Sequence, residues 1–221
     1  MSLPAAVRTS LRAAADASLA PGQQAYMKSA MPFLGVRVPE VRRQVRTLVR
    51  DLGIADPLVL TTAARELWDD ATHREERYAA AALVGLRPLK GDLGLVPFHE
   101  HVARTGAWWD HVDEAAHRIA DLHDAHPVET AQVVRRWSTD ADSFWVRRLA
   151  IISQLGRRDR VDLDLLAAAL EPNLADGEFF IRKAVGWSLR EVAKVQPDWV
   201  RAYAASHDLS PLSRREALKH L

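Results

Sequence analysis

The sequence contains no cysteine in its 221 residues, which excludes disulfide staples and thiolate metal centres. That absence suits a reducing cytoplasm. Long apolar runs are missing too: nothing approaches the roughly 18 uninterrupted apolar residues that a membrane span needs. The first residues, Met1–Leu19, are rich in Ala and Arg and lack the continuous apolar segment of a secretory leader. Neither sign of charge dominates, with 30 Lys+Arg against 29 Asp+Glu and a net charge of +1. Bulk charge therefore argues neither for nor against a polyanionic partner, and the distribution of the cations has to decide. Alternating β-branched residues are nearly absent, which removes the usual signature of strands.

What is present is a helical vocabulary of ordinary globular composition, 48% hydrophobic and 27% charged. The length is sufficient for one large domain or one repeat array over residues 1–221, with a substantial core. Ala, Leu, Arg and Glu dominate, with Pro or Gly at short intervals. The pattern predicts helices over Pro4–Leu19, Gly22–Ala30, Pro39–Leu52, Pro57–Trp68, Arg74–Leu86, Val96–Thr105 and Trp109–Ala125. It continues over Pro127–Trp137, Ser143–Arg158, Asp162–Pro172, Glu178–Lys194, Pro197–Ala205 and Ser213–Leu221. Pro39, Pro57, Pro127 and Pro197 fit the first turn, where a missing N–H costs nothing.

Aligning the longer helices exposes a repeat. Arg77-Tyr78-Ala79-Ala80, Asp113-Glu114-Ala115-Ala116, Arg148-Leu149-Ala150-Ile151, Lys183-Ala184-Val185-Gly186 and Arg215-Glu216-Ala217-Leu218 recur about every 35 residues. Helix pairs at this period, without intervening strands, stack into an all-α solenoid of HEAT-like repeats. The alternative is a compact, non-repeating helical bundle.

The first position of each block reads Arg77, Asp113, Arg148, Lys183, Arg215, four bases and one acid. The preceding position adds Arg147, Arg182 and Arg214. Equivalent positions on stacked helices project alike, so the row predicts a basic stripe suited to regularly spaced phosphates. The competing reading is a solvated face of exposed arginines. Trp109 lies one turn before Asp113, and Trp187 one turn after Lys183, so both indoles join the row. Trp68, Trp108, Trp137 and Trp199 are expected to pack.

A lone acid in a basic row weakens DNA affinity and calls for a compensating role. Cleavage of an N-glycosidic bond passes through a sugar with oxocarbenium character, which a carboxylate stabilises while positioning water. Indole faces pack against a deoxyribose or a cationic purine. A ring-alkylated purine is already cationic and leaves neutral, so no strong general acid is required. An ordinary salt bridge from Asp113 to Arg148 fits the spacing equally well.

The same segments carry a family resemblance. Tyr26-Met27-Lys28, Phe33-Leu34-Gly35, Pro39-Glu40-Val41-Arg42-Arg43, Arg65-Glu66-Leu67-Trp68 and Trp108-Trp109-Asp110-His111-Val112-Asp113 are similar to the AlkD family of bacterial DNA alkylation-repair glycosylases. So are Trp145-Val146-Arg147-Arg148-Leu149-Ala150, Phe179-Phe180-Ile181-Arg182-Lys183-Ala184-Val185-Gly186-Trp187 and Leu209-Ser210-Pro211-Leu212-Ser213-Arg214-Arg215-Glu216-Ala217. The likeness implies a C-shaped array with a concave basic cleft for double-stranded DNA. It further implies excision of cationic N3- and N7-alkylpurines in the bacterial cytosol, with no metal or other cofactor and without drawing the lesion into a base pocket. By that resemblance Asp113 is the catalytic carboxylate, Trp109 and Trp187 are aromatic walls, Arg148 is the phosphate-side partner and Tyr26 lies near the DNA. Arg37-Val38-Pro39 departs from the family's Gln-Thr-Pro, which alters two groups expected near the strand opposite the lesion.

Three other readings remain. A binding-only HEAT scaffold is the first. A metal-dependent hydrolase could draw on His99/His101 and His123/His126 with Asp121 and Asp124, but neither pair has the i, i+4 spacing of a helical HExxH site. A receptor for acidic peptides fits the basic row and leaves Asp113 and the tryptophans unexplained. The simplest expectation is a monomer with no membrane partner.

Overall fold

The computed structural model describes residues 2–221, and among them there are thirteen α-helices and no strand. By internal contacts the chain divides into two compact units, Met1–Lys90 and Gly91–Leu221.

The first unit holds α1 (Leu3–Ala13), α2 (Ala20–Met27), α3 (Val38–Asp51), α4 (Pro57–Asp69) and α5 (Arg74–Val84). Leu3, Val7 and Leu11 on α1 and Val41, Val45 and Val49 on α3 recur every four residues, and all are buried. Both helices pack on α5. Two consecutive buried glutamates begin α5. The Glu75 carboxylate accepts hydrogen bonds from the backbone N–H groups of Leu34, Gly35 and Val36 at 2.9–3.1 Å. Glu76 accepts from Arg8 at 3.1 Å and Arg12 at 3.3 Å, which ties α1 to α5. The loop under Glu75 requires Gly35, whose φ is +92° and whose added Cβ would lie 2.0 Å from the Asp16 carbonyl oxygen.

The second unit holds α6 (Val96–Gly106), α7 (Trp109–Ala125), α8 (Pro127–Ser138), α9 (Phe144–Ile151), α10 (Leu163–Leu170), α11 (Phe179–Ala193), α12 (Pro197–Ser206) and α13 (Pro211–Ala217). Helices α7, α9, α11 and α13 stack in succession, and each carries one of the aligned blocks. Helices α6, α8, α10 and α12 flank that row. The ties between neighbouring layers preserve the repeat length. Trp137 donates to Glu100, Arg104 to Asp140, Asn173 to the Ser138 carbonyl and Arg148 to Asp113, across 37, 36, 35 and 35 residues.

Helix starts follow the sequence closely: Pro39, Pro57, Pro127 and Pro197 all occupy the first turn. The second helix is shifted to Ala20–Met27 from the expected Gly22–Ala30, and three others have ends displaced by local hydrogen bonds. The first helix stops at Ala13 rather than Leu19, because Asp16 turns the chain by accepting from the Ser18 backbone at 2.9 Å. The ninth stops at Ile151 rather than Arg158. There Gln154 takes both backbone groups of Asp162 at 2.8 Å, pulling the chain off the helix axis. The last starts at Pro211 rather than Ser213, because the Ser210 hydroxyl caps the Ser213 N–H at 3.1 Å, and it ends at Ala217 rather than Leu221.

His99 and His123 belong to the core. Burial holds both in the neutral form, with His99 pushed down to about 3 and His123 to about 4. His123 lies 3.3 Å from the Ser153 hydroxyl.

Two outcomes follow from this core. Replacing Glu75 with Ala strands three N–H donors, those of Gly35 and Val36 buried, and should lower the unfolding free energy by about 3 kcal/mol or more, read by urea titration. Both histidines bind a proton in the unfolded chain below its pKa of 6.5 and resist it in the folded one. Stability should therefore fall as pH drops below that value, by up to about 1.4 kcal/mol per pH unit for each histidine. Equal melting temperatures at pH 7.5 and 5 would contradict this.

Candidate active site

Helix α7 begins after an extended Trp108 and turns Val112, Ala115, Ala116 and Ile119 into the core. Asp113 sits at the margin of that buried stripe, and Trp109 precedes it by one turn on the same side. The next helix in the row supplies the partner. Arg148 donates from Nε to Asp113 Oδ1 at 3.0 Å, and from Nη2 to Oδ1 and Oδ2 at 2.8 and 3.1 Å. Its remaining Nη1 donates to the Phe180 carbonyl at the start of α11, at 2.7 Å. One guanidinium thus joins three successive helices, and the carboxylate it grips has little rotational freedom.

Arg148 is only 4% exposed, whereas the Asp113 side chain keeps 19% of its surface. Arg148, expected beside a phosphate, is turned inward onto Asp113 and Phe180, and the carboxylate keeps the larger exposed share. Burial pushes the Asp113 carboxyl above its ordinary pKa; Arg148 opposes this and is outweighed, while Asp110 adds to the rise and His117 opposes it. Other carboxylates tied between neighbouring repeats behave differently. Asp140, Asp176 and Glu216 all lie below their ordinary values, because hydrogen bonds and nearby cations outweigh burial there.

The other expected residues divide into two groups. Trp109 and Trp187 are half-buried, and among the described residues neither indole stacks on another ring. Tyr26, in the first unit, is 76% exposed. Arg214 and Arg215 are exposed and Arg182 is half-buried. Arg147 and Lys183 are neutralised within the fold. Arg147 pairs with Asp176 at 2.8 Å and donates to the Asp140 carbonyl, and Lys183 pairs with Glu216 at 3.0 Å. Arg77, in the first unit, lies over the Trp68 ring at 4.8 Å. The basic stripe is therefore less positive than the sequence row suggests. Positions facing the neighbouring helix are drawn out of water and acquire counter-charges.

Sequence reasoning missed the aromatic wall behind Arg148. Trp108, Trp145 and Phe180 meet with ring centroids 4.8–6.1 Å apart, and the Arg148 guanidinium lies 6.0 Å from the Phe180 ring. A signal existed: Trp108-Trp109, Phe144-Trp145 and Phe179-Phe180 place an aromatic pair at the start of three successive row helices. Trp68 and Trp137 are fully buried, as expected of packing residues, while Trp108 and Trp199 are half-buried.

Known proteins share this architecture. The family model described as DNA alkylation repair enzyme matches residues 7–221. A solved structure described as "Predicted DNA alkylation repair enzyme from Enterococcus faecalis" is 30% identical, with a TM-score of 0.82 over 94% of this chain and 96% of that one. AlkD2 from Streptococcus mutans is 17% identical with a TM-score of 0.65, covering 84% of this chain and 91% of that one. The smu.31 protein from Streptococcus mutans UA159, also 17% identical, has a TM-score of 0.61 over 82% of this chain and 99% of that one. No curated protein matches the chain. The stacked helical repeats are those of these relatives, and with the family model matching almost its whole length, the chain belongs to the DNA alkylation repair enzyme family.

Proposed function

We propose that the protein is a DNA glycosylase that hydrolyses the N-glycosidic bond of cationic N3- and N7-alkylated purines in double-stranded DNA. In this reading residues 1–221 act as one functional domain, a cytoplasmic monomer that needs no cofactor. Small adducts such as 3-methyladenine and 7-methylguanine are substrates, and a carboxylate at a surface rather than in an enclosed pocket also admits bulky N3-adenine adducts.

The observation that carries the proposal is the Asp113 carboxylate. Burial raises its pKa although an arginine grips it, unlike Asp140, Asp176 and Glu216, which are also tied between repeats. A partly desolvated carboxylate still facing outward is suited to stabilise positive charge, because its field is weakly screened by water. The alkylated base departs as a neutral purine, taking the electrons of the C1′–N bond. The sugar acquires oxocarbenium character, water adds at C1′, and its surplus proton passes to Asp113 or to solvent. Trp109 and Trp187 are the aromatic walls beside the lesion nucleotide. Tyr26, Arg182, Lys183, Arg214 and Arg215 contact the DNA, while Arg148 and Arg147 hold carboxylates in place.

A second reading, a DNA-binding scaffold without chemistry, is favoured by one observation. The Asp113–Arg148 pair has the same form as the Lys183–Glu216 tie between α11 and α13.

Asp113→Asn separates the two. Single-turnover release of 7-methylguanine should slow by about 100-fold while duplex affinity stays within a few-fold of wild type. The wild-type rate should rise with pH along an acid limb whose apparent pKa exceeds that of an ordinary aspartate, and the variant should lose that limb. Equal rates for the two proteins would remove Asp113 from the mechanism. Binding without release by either would favour the scaffold.

A further inference from the structure

Glu216 on α13 is the only one of these inter-repeat carboxylates with two cations from one helix on its oxygens. Lys183 Nζ lies 3.0 Å from Oε1, and Arg190 Nη1 contacts Oε2. At about 100° per residue, Lys183 and Arg190 lie within about 20° of each other around α11, with Trp187 about 40° to one side. Gly186 lies about 60° to the other side of Lys183. Helix α13 covers that other side closely. A Cβ at Gly186 would fall 2.5 Å from the Glu216 Cβ and 2.9 Å from the Ser213 carbonyl oxygen. The Ser213 hydroxyl fastens the contact by donating to the Arg182 carbonyl at 2.9 Å. The two cations therefore form a strip between α13 and Trp187, and Glu216 draws both toward α13. Their side chains remain 37% and 21% exposed, so each has somewhere to move if released.

We infer that Glu216 is a positioning residue, which holds Lys183 and Arg190 back from the Trp187 indole and keeps that ring open to the DNA. The inference rests on the glycosylase reading. Without the anchor, both long side chains are free to lie over the half-buried indole, where an aromatic face attracts a cation. Their charge toward the phosphates is also no longer offset by the Glu216 carboxylate. The anchor thus lowers general DNA affinity in exchange for an accessible ring, so its loss moves binding and chemistry in opposite directions.

The test uses the full chain carrying Glu216→Gln, which preserves side-chain shape. Affinity for undamaged duplex should tighten by about two- to five-fold at low salt. The slope of log affinity against log salt should steepen by about one. Single-turnover release of 7-methylguanine should fall by about ten-fold, with a melting temperature within a few degrees of wild type. Adding Arg190→Gln removes one freed cation and should recover part of the lost rate, whereas a merely structural defect would worsen. An unchanged rate overturns the proposal, as does a parallel loss of rate, affinity and melting temperature. If the wild type releases no base, the glycosylase reading fails on its own, and the salt slope decides whether Glu216 restrains the two cations.

Discussion

A charge drawn between two stacked helices needs a counter-charge on the next helix, because an unpaired ion out of water costs several kcal/mol. In the second unit four pairs supply it from one repeat to the next, two of them through Asp140 and Asp176 in the connections between helices. Asp113 meets Arg148, Arg104 meets Asp140, Arg147 meets Asp176 and Lys183 meets Glu216. These ties fix the stacking of a row whose individual helix pairs cannot bury their own apolar faces. They also explain why a sequence row rich in arginine does not become an equally strong basic surface.

In the proposed function, the candidate site is one of these ties adapted to a further use. Arg148 bonds to both Asp113 oxygens and to the Phe180 carbonyl, so the carboxylate is held by a group that is itself fixed at three points. Trp108, Trp145 and Phe180 close the space behind the guanidinium. Preorganisation of this kind matters for a developing cation, because no dipole has to turn during the reaction. The fold thus supplies through stacking what an enclosed pocket supplies elsewhere, a carboxylate of fixed direction with little water around it. That the family is one of DNA alkylation repair enzymes gives the arrangement its chemical context.

Much of this was legible in the residues. Prolines marked helix starts, the 35-residue recurrence placed one block on each of α5, α7, α9, α11 and α13, and the register brought Asp113 opposite Arg148. Local periodicity could not show which cations would be neutralised, because Asp176 and Glu216 reach Arg147 and Lys183 only after the helices stack. Nor could it show that Arg148 turns inward, which depends on the Phe180 carbonyl. Helix ends were lost where side chains compete with the backbone. Asp16 ends α1 through Ser18, and Gln154 closes the loop after α9 through Asp162. The aromatic wall was written in the sequence as paired aromatics, but a pair at a helix start looks the same whether it packs inward or faces a ligand.

Repair of an alkylated base can proceed by removing the base or by removing the alkyl group, and the two leave different products. With no cysteine in the chain, no thiolate is present to accept an alkyl group. The most direct test is mass spectrometry of the small molecules and the DNA strand after incubation of the wild-type protein with a duplex containing 7-methylguanine. Free 7-methylguanine with an equal amount of abasic strand is the result the account requires. Intact DNA carrying unmodified guanine, or a bound duplex with no product, would contradict it.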